Sequence, residues 1–247
     1  MPLTCTGEAL GILLLFMSDS LTINWPYLLT AVALLWFPRP WLRTGKAVLK
    51  KRRKPDGALE RLAGIGARDP DDRSVQPARE FTNFRNYLDL FRAFAGGYCL
   101  IQFAFTTTGR DAARTVLIIQ ALCMLIAVLI QSLRLAGHLN FFAALFYLLG
   151  LTIGTCGQAT EGMPFTIGHG AGSFAFALVL AINPVIPNPR LFLTAFGLLL
   201  LPFGFVFGAN LALLAVNVIL ILLVPLLSLL SKRPVVIFTR KAKSASS

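Results

Sequence analysis

Glu161 and His169 are the two side chains in this 247-residue chain whose types and spacing could share a proton. They stand in the most polar stretch of an otherwise apolar region, Thr152–Ser173, together with Thr155, Cys156, Gln158, Thr160 and Thr166. A carboxylate and an imidazole within hydrogen-bond reach, directly or through one water, make a general acid–base pair. That is the least a lipid-modifying membrane enzyme would need. The plainer reading of the stretch is an external loop with ordinary turn chemistry. Gly168–Ser173 has the glycine density of an oxyanion strand, but no GxSxG elbow accompanies it. Gly168 and Gly172 fit better as a GxxxG pair that lets two helix backbones approach closely. Neither a phosphate-binding GxxxxGK[ST] loop nor an HExxH pair occurs. Cys99, Cys123 and Cys156 lie in apolar runs and form no CxxC, so they read as small buried residues. These residues point to no metal and no cofactor.

The other polar groups inside apolar runs are neutral amides: Gln102, Gln120, Gln131 and Asn217. They could line a pathway for a neutral or lipophilic solute. More commonly such amides hydrogen-bond between helices. Beyond Arg92 no Asp, Glu, Lys or Arg stands within an apolar run except at its edges, where Asp111, Arg114 and Arg190 lie. A proton-coupled pump, a retinal protein and a voltage sensor therefore lack their usual charged parts.

A third kind of chemistry is electrostatic. Lys50, Lys51, Arg52, Arg53 and Lys54 form a basic run suited to anionic lipid headgroups, and equally suited to fixing orientation in a membrane. No aromatic residues are interleaved for base stacking, so no nucleic-acid partner is expected.

The elements that must position these groups are membrane spans. Apolar residues make up 56% of the chain and charged residues only 14%, against about 25% charged in ordinary soluble domains. Seven apolar runs approach the ~17–25 residues of a spanning helix: 21–36, 91–107, 113–133, 139–157, 165–183, 191–207 and 211–230. The last two form 40 nearly unbroken apolar positions, about 60 Å if helical, so they must fold back across Gly208-Ala209-Asn210. The expected fold is an all-α, polytopic transmembrane bundle of about seven spans.

Orientation follows from Lys and Arg, which number 23 against 11 Asp and Glu. Fourteen of the 23 fall between Arg39 and Arg92, and five more follow residue 231. Seven spans with the N-terminus outside and the C-terminus inside leave only Arg110 and Arg114 on the outside. Residues 1–20 then form an external segment, with Met17 a candidate chain start. Residues 21–37 form the first span and 38–80 a basic cytoplasmic linker, with one short helix expected over 57–65. Residues 81–247 hold an interfacial helix, six spans and a basic tail. That interfacial helix is read from Phe81, Phe84, Leu88, Phe91 and Phe94, with Arg85, Asp89 and Arg92 opposite; Gly96-Gly97 is the expected bend into the second span. The sequence thus reads as a cell-membrane protein, structural or accessory. Its expected partners are anionic lipids and a second membrane protein. A neutral-solute transporter and a lipid-modifying enzyme are the alternatives.

Overall fold

The computed structural model describes residues 20–38, 75, 77–136, 138–157, 167–183, 188–232 and 235–236. The chain is mostly helical there. In order run β1 (Ser20–Ile23), α1 (Trp25–Trp36), α2 (Pro77–Thr82), α3 (Phe84–Gln102), β2 (Phe105–Thr108) and α4 (Arg110–Ser132). Then follow β3 (Leu133–Ala136), β4 (His138–Phe142), α5 (Leu145–Cys156), a 3-10 turn (Ile167–His169), α6 (Gly170–Ile182), α7 (Pro189–Val206), α8 (Leu211–Leu230) and β5 (Val235–Val236). Each of the seven apolar runs overlaps a helix. Three of these, α4, α7 and α8, are long and apolar enough to cross a membrane; α1 and α5 are apolar but have 12 residues each.

The helix starts follow from side chains that satisfy free backbone N–H groups. Asn83 accepts from Arg85 N, Asn188 from Arg190 N, and Asn210 from both Ala212 N and Leu213 N. Between α7 and α8 the chain reverses as expected. Gly208 takes a left-handed φ of +65°, and Ala209 N donates to Gly204 O at 2.8 Å. Both helices continue through Pro202 and Pro225.

Two expectations need correction. The fold is not purely helical, because short strands close both ends of the bundle. β1 pairs antiparallel with β2, matching Ser20 to Thr108, and β4 pairs antiparallel with β3 and parallel with β5. They form where chains leave helix ends, the first pair in a β-branched Thr106-Thr107-Thr108 run. Nor does the chain bend at Gly96-Gly97: α3 is one helix from Phe84 to Gln102, and the break lies at Asn83. The two glycines serve packing instead. A Cβ on Gly96 would lie 2.8 Å from Leu35 of α1, and one on Gly97 would lie 2.9 Å from Thr155 of α5.

The centre of the bundle is α5, in which 11 of 12 residues are buried. It packs parallel to α3 through Gly150 and Gly154. A Cβ on Gly150 would overlap the Leu90 carbonyl, and one on Gly154 would lie 2.5 Å from Phe94 O. This is the closest kind of helix contact, backbone on backbone. Gly172 of α6 faces a side chain of α5 instead: a Cβ there would lie 2.5 Å from Thr152 Oγ1, whereas Gly168 belongs to the 3-10 turn. The periphery is apolar: Ile118, Leu122 and Ile126 form an exposed stripe on α4, and Phe205, Val206 and Leu230 are about three-quarters exposed. Water-facing surfaces of soluble monomers rarely carry such continuous apolar area.

Candidate functional site

The strongest polar constellation lies where α1, α3, α4 and α5 meet. It arises from the way α3 is turned. Phe84, Leu88 and Phe91 are exposed, while Asn86, Asp89, Ala93, Gly96, Gly97 and Leu100 are buried. The apolar face is outward, as in an interfacial helix, but the polar stripe faces into the bundle and not toward water. The physical reason is that Arg92 finds Gln131 and the Phe37 carbonyl there, and the small residues on the same stripe let neighbouring helices come close.

Asp89 and Arg92 form an ion pair at 2.8 Å, with side chains only 2% and 9% exposed. Arg92 Nη2 donates to Gln131 Oε1 at 2.8 Å, and Arg92 Nη1 donates to the Phe37 carbonyl. Gln131 Nε2 donates to Phe37 O at 2.9 Å, and Tyr147 Oη donates to Leu35 O at 3.0 Å. The Arg92 guanidinium also lies 5.2 Å from the Tyr147 ring centroid, within cation–π range.

The Leu35 and Phe37 carbonyls belong to the C-terminal end of α1, where a helix leaves its last carbonyls unpaired. α1 has no basic residue in its own last turn. Arg92, Gln131 and Tyr147 supply from three other helices the donors and positive charge that this end attracts. The site is thus a clamp that fixes the first helix to the bundle. Trp36 adds a further tie, donating through Nε1 to Cys123 O at 3.1 Å. At the same end of the bundle, Asn86 Nδ2 donates to Glu80 Oε2 at 2.6 Å, Arg190 Nη2 to Ser228 Oγ at 2.8 Å, and Asn183 Nδ2 to Val75 O at 2.9 Å.

The expected site residues are dispersed. Glu161 and the Lys50, Lys51, Arg52, Arg53, Lys54 run lie outside the described residues, as do Met17 and residues 57–65. His169 is buried, with Nδ1 2.6 Å from Ile153 O and its ring 5.8 Å from that of Tyr98. The four amides hydrogen-bond to four different places. Gln102 donates to Gly157 O at 3.0 Å, Gln120 to Leu100 O at 3.1 Å, Gln131 to the end of α1, and Asn217 to Thr155 Oγ1 at 2.7 Å. Of the four, Gln120 alone is among the residues lining a cleft of about 340 Å³ between α4 and α8. Among the described residues no group of three or more His, Cys, Asp or Glu could hold a metal ion.

Asp89 and Arg92 stand opposite Phe84, Leu88 and Phe91, as the sequence suggested, but their face meets other helices and not water. A signal existed: positions 89, 93, 96, 97 and 100 share one helix face, and four of the five are small or apolar. In an apolar bundle that face belongs inside.

The Asn217–Thr155 link between α8 and α5 has a measurable strength. In a cycle of Asn217→Ala, Thr155→Val and the double variant, unfolding in detergent should report a coupling of about 0.6 kcal/mol, and no more than ~1.7 kcal/mol. Strict additivity would show that the bond contributes nothing.

No protein-family model, curated protein or solved structure matches this chain.

Proposed function

We propose that this protein is a multi-pass cell-membrane protein of seven spans, N-terminus outside and C-terminus inside, acting as a structural or accessory membrane subunit. The observation that carries this reading is the use made of the buried polar groups. Arg92, Gln131, Tyr147, Gln102, Gln120 and Asn217 are all engaged in joining one segment of the bundle to another. Polar residues are expensive in a bilayer, and here they are spent on holding helices together.

The grouping of helix ends supports the orientation. Residues 35–37, 92, 131 and 147 meet at one end, while 20–23 pair with 105–108 at the other. In this reading Lys50–Lys54 lies against anionic headgroups on the cytoplasmic face, and the exposed apolar stripes of α4 and α8 face lipid or a partner span.

Two measurements on one preparation test the proposal. In sealed, right-side-out vesicles holding a protein whose four native cysteines are replaced by serine, a membrane-impermeant thiol reagent should label Asp111→Cys at once and Ser247→Cys only after permeabilisation. Immediate labelling of both would require an even number of spans between them. Solubilised gently from its native membrane, the protein should migrate with a second membrane protein in fixed stoichiometry. Uptake of a neutral solute, or conversion of a lipid, by proteoliposomes holding this protein alone would overturn the accessory role.

A further inference from the structure

We propose that the cleft between α4 and α8 is a binding site for one anionic membrane phospholipid, whose headgroup phosphate meets Arg114 and whose acyl chain lies along the apolar walls. The cleft lies at the end of the bundle opposite the Arg92 clamp, and far in sequence from the 50–54 basic run. The cleft has a volume of about 340 Å³.

The lining is graded along its length. Arg114 stands at the open edge with its side chain 77% exposed. Phe105, Leu117 and Leu213 supply apolar wall, and Gln120, only 6% exposed, forms part of the deep end about 9 Å further along α4. A cation at the mouth of an apolar trough complements an anionic head on a hydrocarbon chain. It complements neither a wholly polar solute nor a neutral hydrocarbon.

Arg114 is available for this role. Its ion pair with Asp111 is long, 3.4 Å, and both side chains are more than three-quarters exposed. Such pairs contribute little and exchange readily. A phosphate offers the guanidinium two oxygens at once, a stronger match than one distant carboxylate oxygen. The first turns of α4 and α8 also open on this end, and the positive ends of helix dipoles favour an anion there.

The inference rests on the membrane reading given above. It is tested with the full-length protein in detergent by native mass spectrometry, offering phosphatidylglycerol, phosphatidylcholine and palmitate in separate titrations. The wild type should retain one phosphatidylglycerol in preference to phosphatidylcholine. Arg114→Ala should lower that preference about fivefold, the effect of one basic residue at an anionic headgroup. Ala113→Trp, which fills the trough from its exposed wall, should abolish retention of the tightly held lipid. Arg110→Ala removes a neighbouring charge that does not line the cleft and should leave retention unchanged.

Equal losses in Arg110→Ala and Arg114→Ala would reduce the effect to general surface charge and overturn the site. So would tighter retention of palmitate than of phosphatidylglycerol, or a dimer that excludes lipid from wild type and Ala113→Trp alike. Any of these results in a protein that still labels at Asp111→Cys from outside would remove the lipid site and leave the membrane reading standing.

Discussion

Replacing Arg92 with leucine is expected to destabilise the folded protein by about 3–5 kcal/mol, the penalty for leaving a buried charge without its partner. The Asp89 carboxylate would lose its ion pair at a position where its side chain is only 2% exposed. Gln131 Oε1 and the Phe37 carbonyl would lose a donor in the same step. Asp89→Asn should cost much less, because Arg92 keeps Gln131, Phe37 and the Tyr147 ring. The double variant Asp89→Asn, Arg92→Leu should therefore be more stable than Arg92→Leu alone. Arg92→Lys should fall between, since an ammonium lacks the planar fork that reaches two acceptors and stacks on an aromatic ring. Thermal unfolding in a fixed detergent measures all four. A loss below ~1 kcal/mol in Arg92→Leu would show that the clamp carries no stability.

The second large effect is expected at the backbone contact of α3 and α5. Gly150→Ala should cost at least the top of the ~1–3 kcal/mol range for overpacking. The atom it meets is the Leu90 carbonyl, which is main chain and cannot rotate aside. Gly154→Ala faces Phe94 O and should behave likewise. Gly170→Ala is the control: its added carbon would meet only the Phe174 ring at 3.7 Å, an ordinary contact, and stability should hold. Comparable losses at all three positions would mean that helix flexibility, not close approach, explains the sensitivity.

Helix existence was legible from the sequence, because apolar runs bounded by turn residues leave few alternatives. The bounds of α8, Leu211–Leu230, agree with the apolar run residue for residue. There Asn210 caps one end, and the left-handed Gly208 separates α8 from α7. Bounds were poorer where a strand shares the run. Leu21–Ile23 and Phe105–Thr107 are as apolar or β-branched as the helices they adjoin, and only their pairing with each other decides their state.

The direction in which α3 presents its polar stripe was not legible by the usual rule. That rule puts water beyond the polar face of an interfacial helix; Phe84 and Phe91 do point outward, but the face opposite them meets other helices. The spacing of Gly150 and Gly154 was visible in the sequence. Which helix they meet depends on how α3 and α5 are laid side by side, and that is tertiary information. The grouping of Arg92 with Gln131 and Tyr147 is non-local in the same sense, since they lie 39 and 55 positions beyond it.

The enclosure of α5 bears on how this sequence can change over generations. α4 presents Ile118, Leu122 and Ile126 outward, where one apolar side chain can replace another with little consequence. α5 has no such free side. Its glycines lie on the α3 backbone, Thr152 faces Gly172 of α6, Thr155 holds Asn217 of α8, and Tyr147 reaches the end of α1. Selection therefore acts on almost every position of a 12-residue segment. Descendants of this gene should preserve Leu145–Cys156 nearly unchanged while the outward stripes of α4 and α8 drift among Leu, Ile, Val and Phe.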